Sequence, residues 1–290
     1  MPLLMREAIE RFMTDLDEHE YSQKTIDGYR GSLVHFNDYL EEKFNIMVYI
    51  EDLSTEVIRD FLKEKREEGC TPTTRNSYLF IFRSFCGYLA DEEVLGENPV
   101  EDLKPVKTRK KERVYLTREQ VLELAEEIDH GIISRAVLVA YHTGLRPSEL
   151  LGLKLDDVDL ERGLVHVRAG KGNKDRRVPI SEKLEGIIRD YLDGVRPDVE
   201  TDNFFATGSS GGLSLQYFNR RIKKAARSLG WENADEVSAH VLRHSCASRL
   251  VSKDVNVEKI RRLLGHSSIE VTSVYCHSRT EDLSEAVNSL

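Results

Sequence analysis

The sequence predicts a mainly α-helical protein with a small β-hairpin or sheet, divided into two unequal domains. Three observations predict it. Apolar residues recur at spacings of three and four along most of the chain. Residues 164–180 alone read as paired strands, around a Gly-Lys-Gly-Asn turn. A proline-containing, strongly basic stretch without periodicity interrupts the helical pattern near residue 104. At 290 residues the chain exceeds the usual single-domain size, and each half is long enough to bury its own core. The expected division is a helical domain over 1–103, a basic linker over 104–113 and a larger α+β domain over 114–290.

The elements follow in order. Residues 3–19 carry Leu4, Ala8, Ile9, Phe12, Met13 and Leu16 on one helical face, and about 24–43 repeats the pattern with Ile26, Tyr29, Leu33, Phe36, Tyr39 and Leu40. A third helix starts after Ser54 as N-cap and stops at Gly69. The fourth has Thr71 as cap, Pro72 at its first position and Tyr78, Phe82, Phe85 and Leu89 as an apolar stripe, which reads as core rather than a base-stacking surface. From Gly96 to Arg113 the pattern breaks, as expected of a flexible linker. Thr117 opens the second half with a capping-box pattern, TREQ, and a helix to about 129. Ile132–His142 reads as a buried helix, Thr143-Gly144-Leu145 turns the chain, and PSELLGL starts another helix. Strands are expected at 164–168 and 176–180, then helices at 181–193, 214–229, 237–251, 255–264, 267–276 and 281–289.

Composition narrows the class. A 40% hydrophobic and 32% charged chain is globular rather than fibrous or disordered. No apolar run approaches the ~20 residues that span a bilayer, and the N-terminal stretch is charged too early for a secretory signal, so no membrane partner and a cytoplasmic location are expected. Cys70, Cys86, Cys246 and Cys276 form no CxxC pair, which favours reduced thiols over a disulfide framework. The net charge of −9 argues against a polyanionic partner until it is divided. Residues 1–103 hold 11 basic and 23 acidic side chains, net −12, whereas 104–290 hold 31 and 28, net +3. Basic residues cluster in KPVKTRKKER (104–113), RAGKGNKDRR (168–177) and RRIKKAAR (220–227). One such run is a solvated face; three in one half suit a protein that closes around a polyanion.

Five short segments carry chemistry in combination: TGLRPSEL around Arg146, GKGNKDRRVP around Lys171, HVLRH at 240–244, LLGHSS around His266 and VTSVYCH around Tyr275. Alone, each is weak. GKGNK lacks the Walker A spacing, and His240 and His244 stand at i and i+4 without the glutamate of HExxH, so neither a nucleotide site nor a zinc site is expected. Together they suit attack on a phosphodiester without metal or other cofactor. Two arginines, Arg146 and Arg243, can clamp the non-bridging oxygens while staying protonated. A tyrosine nucleophile keeps the energy of the broken linkage in a phosphotyrosyl bond, a hairpin lysine can protonate the leaving 5′ oxygen, and histidines can move a proton or hold the phosphate.

In this order and at these spacings the segments resemble the tyrosine recombinase (phage integrase) family over nearly the whole chain. The resemblance implies that Arg146 and Arg243 grip the phosphate, Lys171 is the general acid, His240 assists as base, His266 holds the scissile phosphate and Tyr275 is the nucleophile, with Glu149 supporting Arg146. It implies a SAM-like, core-binding N-terminal domain that clamps DNA with a catalytic domain after it, a 3′-phosphotyrosyl intermediate, and a homo-tetramer on two double-stranded DNA sites. The final segment, with Leu283, Ala286, Val287 and Leu290 on one face, resembles a helix exchanged with a neighbouring protomer; docking on its own domain is the alternative. Lys107, Arg109, Lys110, Lys111, Lys174, Arg176, Arg177, Arg220, Arg221, Lys223 and Lys224 are the expected DNA contacts. The size and motif wording resemble the Xer group, which resolves chromosome or plasmid dimers. A mobile-element integrase, a type IB topoisomerase-like relaxase and a catalytically silent DNA-bridging protein are the alternatives.

Overall fold

The computed structural model describes residues 2–108, 114–168, 175–208 and 211–265. Arg109, Lys110, Lys111, Lys171, Lys174, His266, Tyr275 and Cys276 lie outside the described residues, as do the helices expected at 267–276 and 281–289. The chain separates into two compact units, Met1–Lys111 and Glu112–Leu290.

The first unit is four helices: α1 (Met5–Glu18), α2 (Gln23–Phe44), α3 (Thr55–Glu67) and α4 (Pro72–Asp91). Ser22, Ser54 and Thr71 each accept a backbone N–H of the following turn through the side-chain oxygen, so three of the four helices begin on a polar cap. Their apolar faces meet in a core rich in rings. Phe61 lies with its centroid 4.9 Å from Phe36, 5.2 Å from Tyr78 and 5.7 Å from Phe82. The chain after α4, expected to be flexible, is fastened where it leaves the helix. Val100 is fully buried, Arg83 donates to the carbonyls of Val100, Glu101 and Leu103, and the Asn76 amide pairs with both the N–H and the carbonyl of Val106 at 2.8 Å. As far as Val106 this stretch is polar enough to read as free, but several of its backbone groups find partners on α4; residues 109–113 lie outside the described residues.

The second unit is built on α6 (Gly131–Thr143), whose buried residues include Ile132, Ile133, Ala136, Val137, Val139 and Ala140, leaving only a narrow, partly exposed stripe of Gly131, Arg135, Leu138 and His142. Packed on it are α5 (Arg118–Glu127), α8 (Glu182–Asp190) and α10 (Ala239–Val251). The short α7 (Pro147–Leu151) follows α6, α9 (Leu215–Ser228) packs on α5, and α11 (Val257–Leu264) closes the described chain. The sheet has one strand more than expected. Besides β2 (Leu164–Val167) and β3 (Arg176–Pro179), a two-residue β1 (Val158–Asp159) pairs antiparallel with β2, giving the order β1-β2-β3. Two residues are too few to show alternation, so only pairing with β2 reveals this strand. Among the described residues no helix is long and apolar enough to cross a membrane.

Candidate active site

Arg146 stands at the start of α7 because the sequence leaves it little choice. It precedes Pro147, whose ring excludes the helical region for the residue before it, and its backbone is extended (φ −63°, ψ 148°). Glu149, three residues on, folds back to accept the Arg146 backbone N–H at 2.7 Å and the Arg146 Nη1 at 2.8 Å. The same carboxylate receives a second arginine. Arg176 of β3 donates Nη1 to Oε1 at 2.8 Å and Nη2 to Oε2 at 2.7 Å. Four donors fill the acceptor sites of one carboxylate. Burial pushes the Glu149 carboxyl up, but the hydrogen bonds and charge of Arg176, with those of Arg146, outweigh it and hold it down at about 2.

Arg243, on α10, is only 6% exposed and reaches in the same direction. Its Nη1 donates to the Gly144 carbonyl at 2.7 Å and its Nη2 to the Leu264 carbonyl at 2.8 Å. Arg146 Nη2 donates to the Gly265 carbonyl at 2.6 Å, and Arg176 Nε to that of Leu263 at 3.0 Å. Three guanidinium groups from three separate elements therefore cap three successive carbonyls at the C-terminal end of α11. Those carbonyls lack intrahelical partners and form the negative end of the helix dipole, which favours cations there. Two glycines make the approach possible. Gly144 (φ +64°) and Gly265 (φ +68°) occupy the left-handed region, and a Cβ would lie 2.5 Å from Leu264 Cδ2 at the first and 2.9 Å from Arg176 Nη1 at the second.

Arg146 and Arg243 thus donate to adjacent carbonyls, bringing together two residues 97 positions apart in sequence. His240 lies one helical turn before Arg243 on α10 and is exposed. Lys107 and Arg177 are exposed. On α9, Arg220 and Lys224 are exposed and one turn apart, Lys223 is half-buried, and the Arg220 guanidinium sits 5.1 Å from the Tyr217 ring centroid. Arg221 is half-buried and donates to the Asp129 carbonyl at 2.6 Å. Arg176 departs from expectation. Counted among the surface DNA contacts, its side chain is instead 11% exposed and turned inward to Glu149 and α11. Strand alternation is the signal that separates it from Arg177: Arg176 shares the face of buried Val178, and Arg177 the opposite one. Among the described residues no group of three His, Cys, Asp or Glu side chains could hold a metal ion.

The profile of the Phage integrase family matches residues 112–282, more than half the chain, and that of the Phage integrase, N-terminal SAM-like domain matches residues 9–93. The chain is 32% identical to tyrosine recombinase XerC of Thermodesulfovibrio yellowstonii, covering 86% of both chains. It is 31% identical to tyrosine recombinase XerD of Pasteurella multocida, covering 95% of this chain and 94% of the other. Among solved structures, the Tn1549 transposon integrase in complex with a circular intermediate DNA superposes with a TM-score of 0.79 over 99% of each chain; at 15% identity that likeness speaks for the fold alone. The crystal structure of XerA recombinase matches at 25% identity and a TM-score of 0.53 over 98% of each chain. On its motifs, its paired arginines and these relatives, the chain belongs to the phage integrase family, as an Xer-like tyrosine recombinase.

Proposed function

We propose that this protein is a site-specific DNA recombinase that cuts and rejoins strands through a 3′-phosphotyrosyl intermediate, in an Xer-like resolution of chromosome or plasmid dimers. The observation that carries the reading is the convergence of Arg146 and Arg243 at the C-terminal end of α11, one residue before His266. In this reading their guanidinium groups face the two non-bridging oxygens of the scissile phosphate and offset the negative charge that grows there on attack. The Tyr275 oxygen attacks phosphorus and loses its proton to His240, while His266 hydrogen-bonds the phosphate. The bond to the 5′ oxygen breaks, and Lys171 supplies the proton that this leaving group takes up. The exchanged 5′-hydroxyl then attacks the phosphotyrosine, returning the tyrosine and resealing DNA, so bond energy is conserved and no ATP is consumed.

The assembly in this reading is a homo-tetramer on two DNA sites in the cytoplasm, joined through the C-terminal segment. Lys107, Arg177 and the basic residues of α9 supply phosphate contacts, together with Arg109, Lys110, Lys111 and Lys174. The length of the match to the XerC and XerD relatives supports the Xer-like role. The test is a nicked duplex that carries a candidate recombination site and traps the covalent state, incubated without metal or ATP and resolved on a denaturing gel. A slow-migrating adduct with wild type and none with Tyr275→Phe is the expected result. Specific binding with no adduct from wild type would instead favour a DNA-bridging role.

A further inference from the structure

Arg176 has no role in the chemistry just described, yet it touches more of the site's framework than either clamping arginine. It leaves β3, the strand that follows the Lys171 loop, and forms a two-pronged ion pair with Glu149 at 2.7 and 2.8 Å. That carboxylate also holds both the backbone and the guanidinium of Arg146. Its Nε caps the Leu263 carbonyl, and its guanidinium lies against Gly265, where the missing Cβ leaves it room. One side chain therefore spans β3, the α7 N-terminus and the C-terminal end of α11, the points from which Lys171, Arg146 and His266 depart. Its own charge is matched by Glu149 and its side chain is nearly sealed from solvent, so it is poorly placed to receive a DNA phosphate.

We propose that Arg176 is a positioning residue for strand cleavage: it sets the Arg146 guanidinium through Glu149 and holds the end of α11 from which the His266 segment departs. This inference rests on the recombinase reading. A planar fork is required, because the three donors of lysine leave from a single nitrogen and do not span the Glu149 carboxylate and the Leu263 carbonyl in the parallel geometry that a guanidinium offers. Glu149 and Arg176 act as a unit: loss of Glu149 leaves Arg176 as a buried, unpaired charge, and loss of Arg176 leaves the Glu149 carboxylate with Arg146 alone.

The test measures single-turnover adduct formation at saturating nicked DNA, with DNA affinity across a salt series, for wild type, Arg176→Lys, Arg176→Gln, Glu149→Gln and the double variant Arg176→Gln/Glu149→Gln. Arg176→Gln is expected to slow the saturated rate by about 10- to 100-fold, the scale of a small misplacement of reacting groups, with affinity and its salt dependence unchanged. Arg176→Lys is expected to stay slow despite its charge, and the double variant to be no slower than the slower single one. Thermal unfolding of each variant accompanies the rates; should Arg176→Gln not fold, the charge-retaining Lys variant and the double variant carry the comparison. Weakened affinity with a salt slope shallower by about one and an unchanged saturated rate would mean a phosphate contact and overturn the proposal. Full rescue by lysine would also overturn it. A wild-type chain that forms no adduct would instead sink the recombinase reading, and this role with it.

Discussion

The two units bury different things. The first hides rings: Phe36, Phe61, Phe82 and Phe85 are each about 1% exposed or less, while most of its ion pairs, such as Arg6–Asp38 with side chains 65% and 56% exposed, lie in water where they contribute little, and its covered Lys65 pairs with a Glu68 that stays exposed. The second covers both members of a pair. Arg176 and Glu149 pair at 11% and 10% exposure, and Arg243 is covered beside them. Water removal makes such a network costly to assemble and costly to break, so it holds geometry more than it adds stability. The contrast teaches a division of labour: in the acidic unit, packing decides whether it folds; in the other, a few buried polar bonds decide where Arg146, Arg176 and Arg243 stand.

Substitutions can break or sharpen this comparison. The largest effect is expected from Arg243→Ala, which in the proposed mechanism removes a donor to the scissile phosphate and should slow adduct formation by about 10²- to 10³-fold, read in single-turnover assays with bound DNA. Next comes Phe61→Ala, which should destabilise the first unit by about 3–5 kcal/mol. The lone tryptophan, Trp231, lies in the second unit, so far-UV circular dichroism should show an early urea transition while tryptophan fluorescence keeps its midpoint. A single shift shared by both signals would show that the two cores unfold together.

A pair of glycines isolates crowding from backbone strain. Gly69 and Gly265 both have positive φ, but a Cβ at Gly69 meets open space whereas one at Gly265 meets Arg176. Gly69→Ala should cost only the left-handed strain of about 1–2 kcal/mol, and Gly265→Ala more, with slowed cleavage besides. Chemical denaturation and adduct assays on the two variants decide it. The smallest effect is in pH. The Glu149 carboxyl is depressed to about 2, so its contribution is full above its ordinary value of 4.5 and fades as pH falls towards 2. The stability advantage of wild type over Glu149→Gln should therefore be large at pH 7 and smaller at pH 3. An advantage independent of pH would mean that Glu149 does not act through its charge.

The described helices of both units were legible because most repeat an apolar spacing and begin on a polar cap: Ser54, Thr71 and Thr117 cap as expected, and Ser22 caps α2 in the same way. Arg146, Glu149 and Arg243 were legible as members of motifs, and Glu149 reaches Arg146 within one turn. Two features were hidden for a common reason. The strand β1 exists only because β2 lies beside it, and the stretch from Val100 to Val106 is held only because Asn76 and Arg83 meet it from α4. Arg176 was misread because a basic run looks the same whether its members face water or a buried carboxylate.

By itself the sequence determined the helical class, the charge asymmetry and the identities of the arginines, because periodicity, caps and spacing act over a few residues. Only the tertiary structure decided which arginine faces inward and that Leu263, Leu264 and Gly265 offer their carbonyls to three of them. The physical reason is distance along the chain: a guanidinium's partner is chosen by what the fold brings within 3 Å, and here the partners lie 21 to 119 residues away.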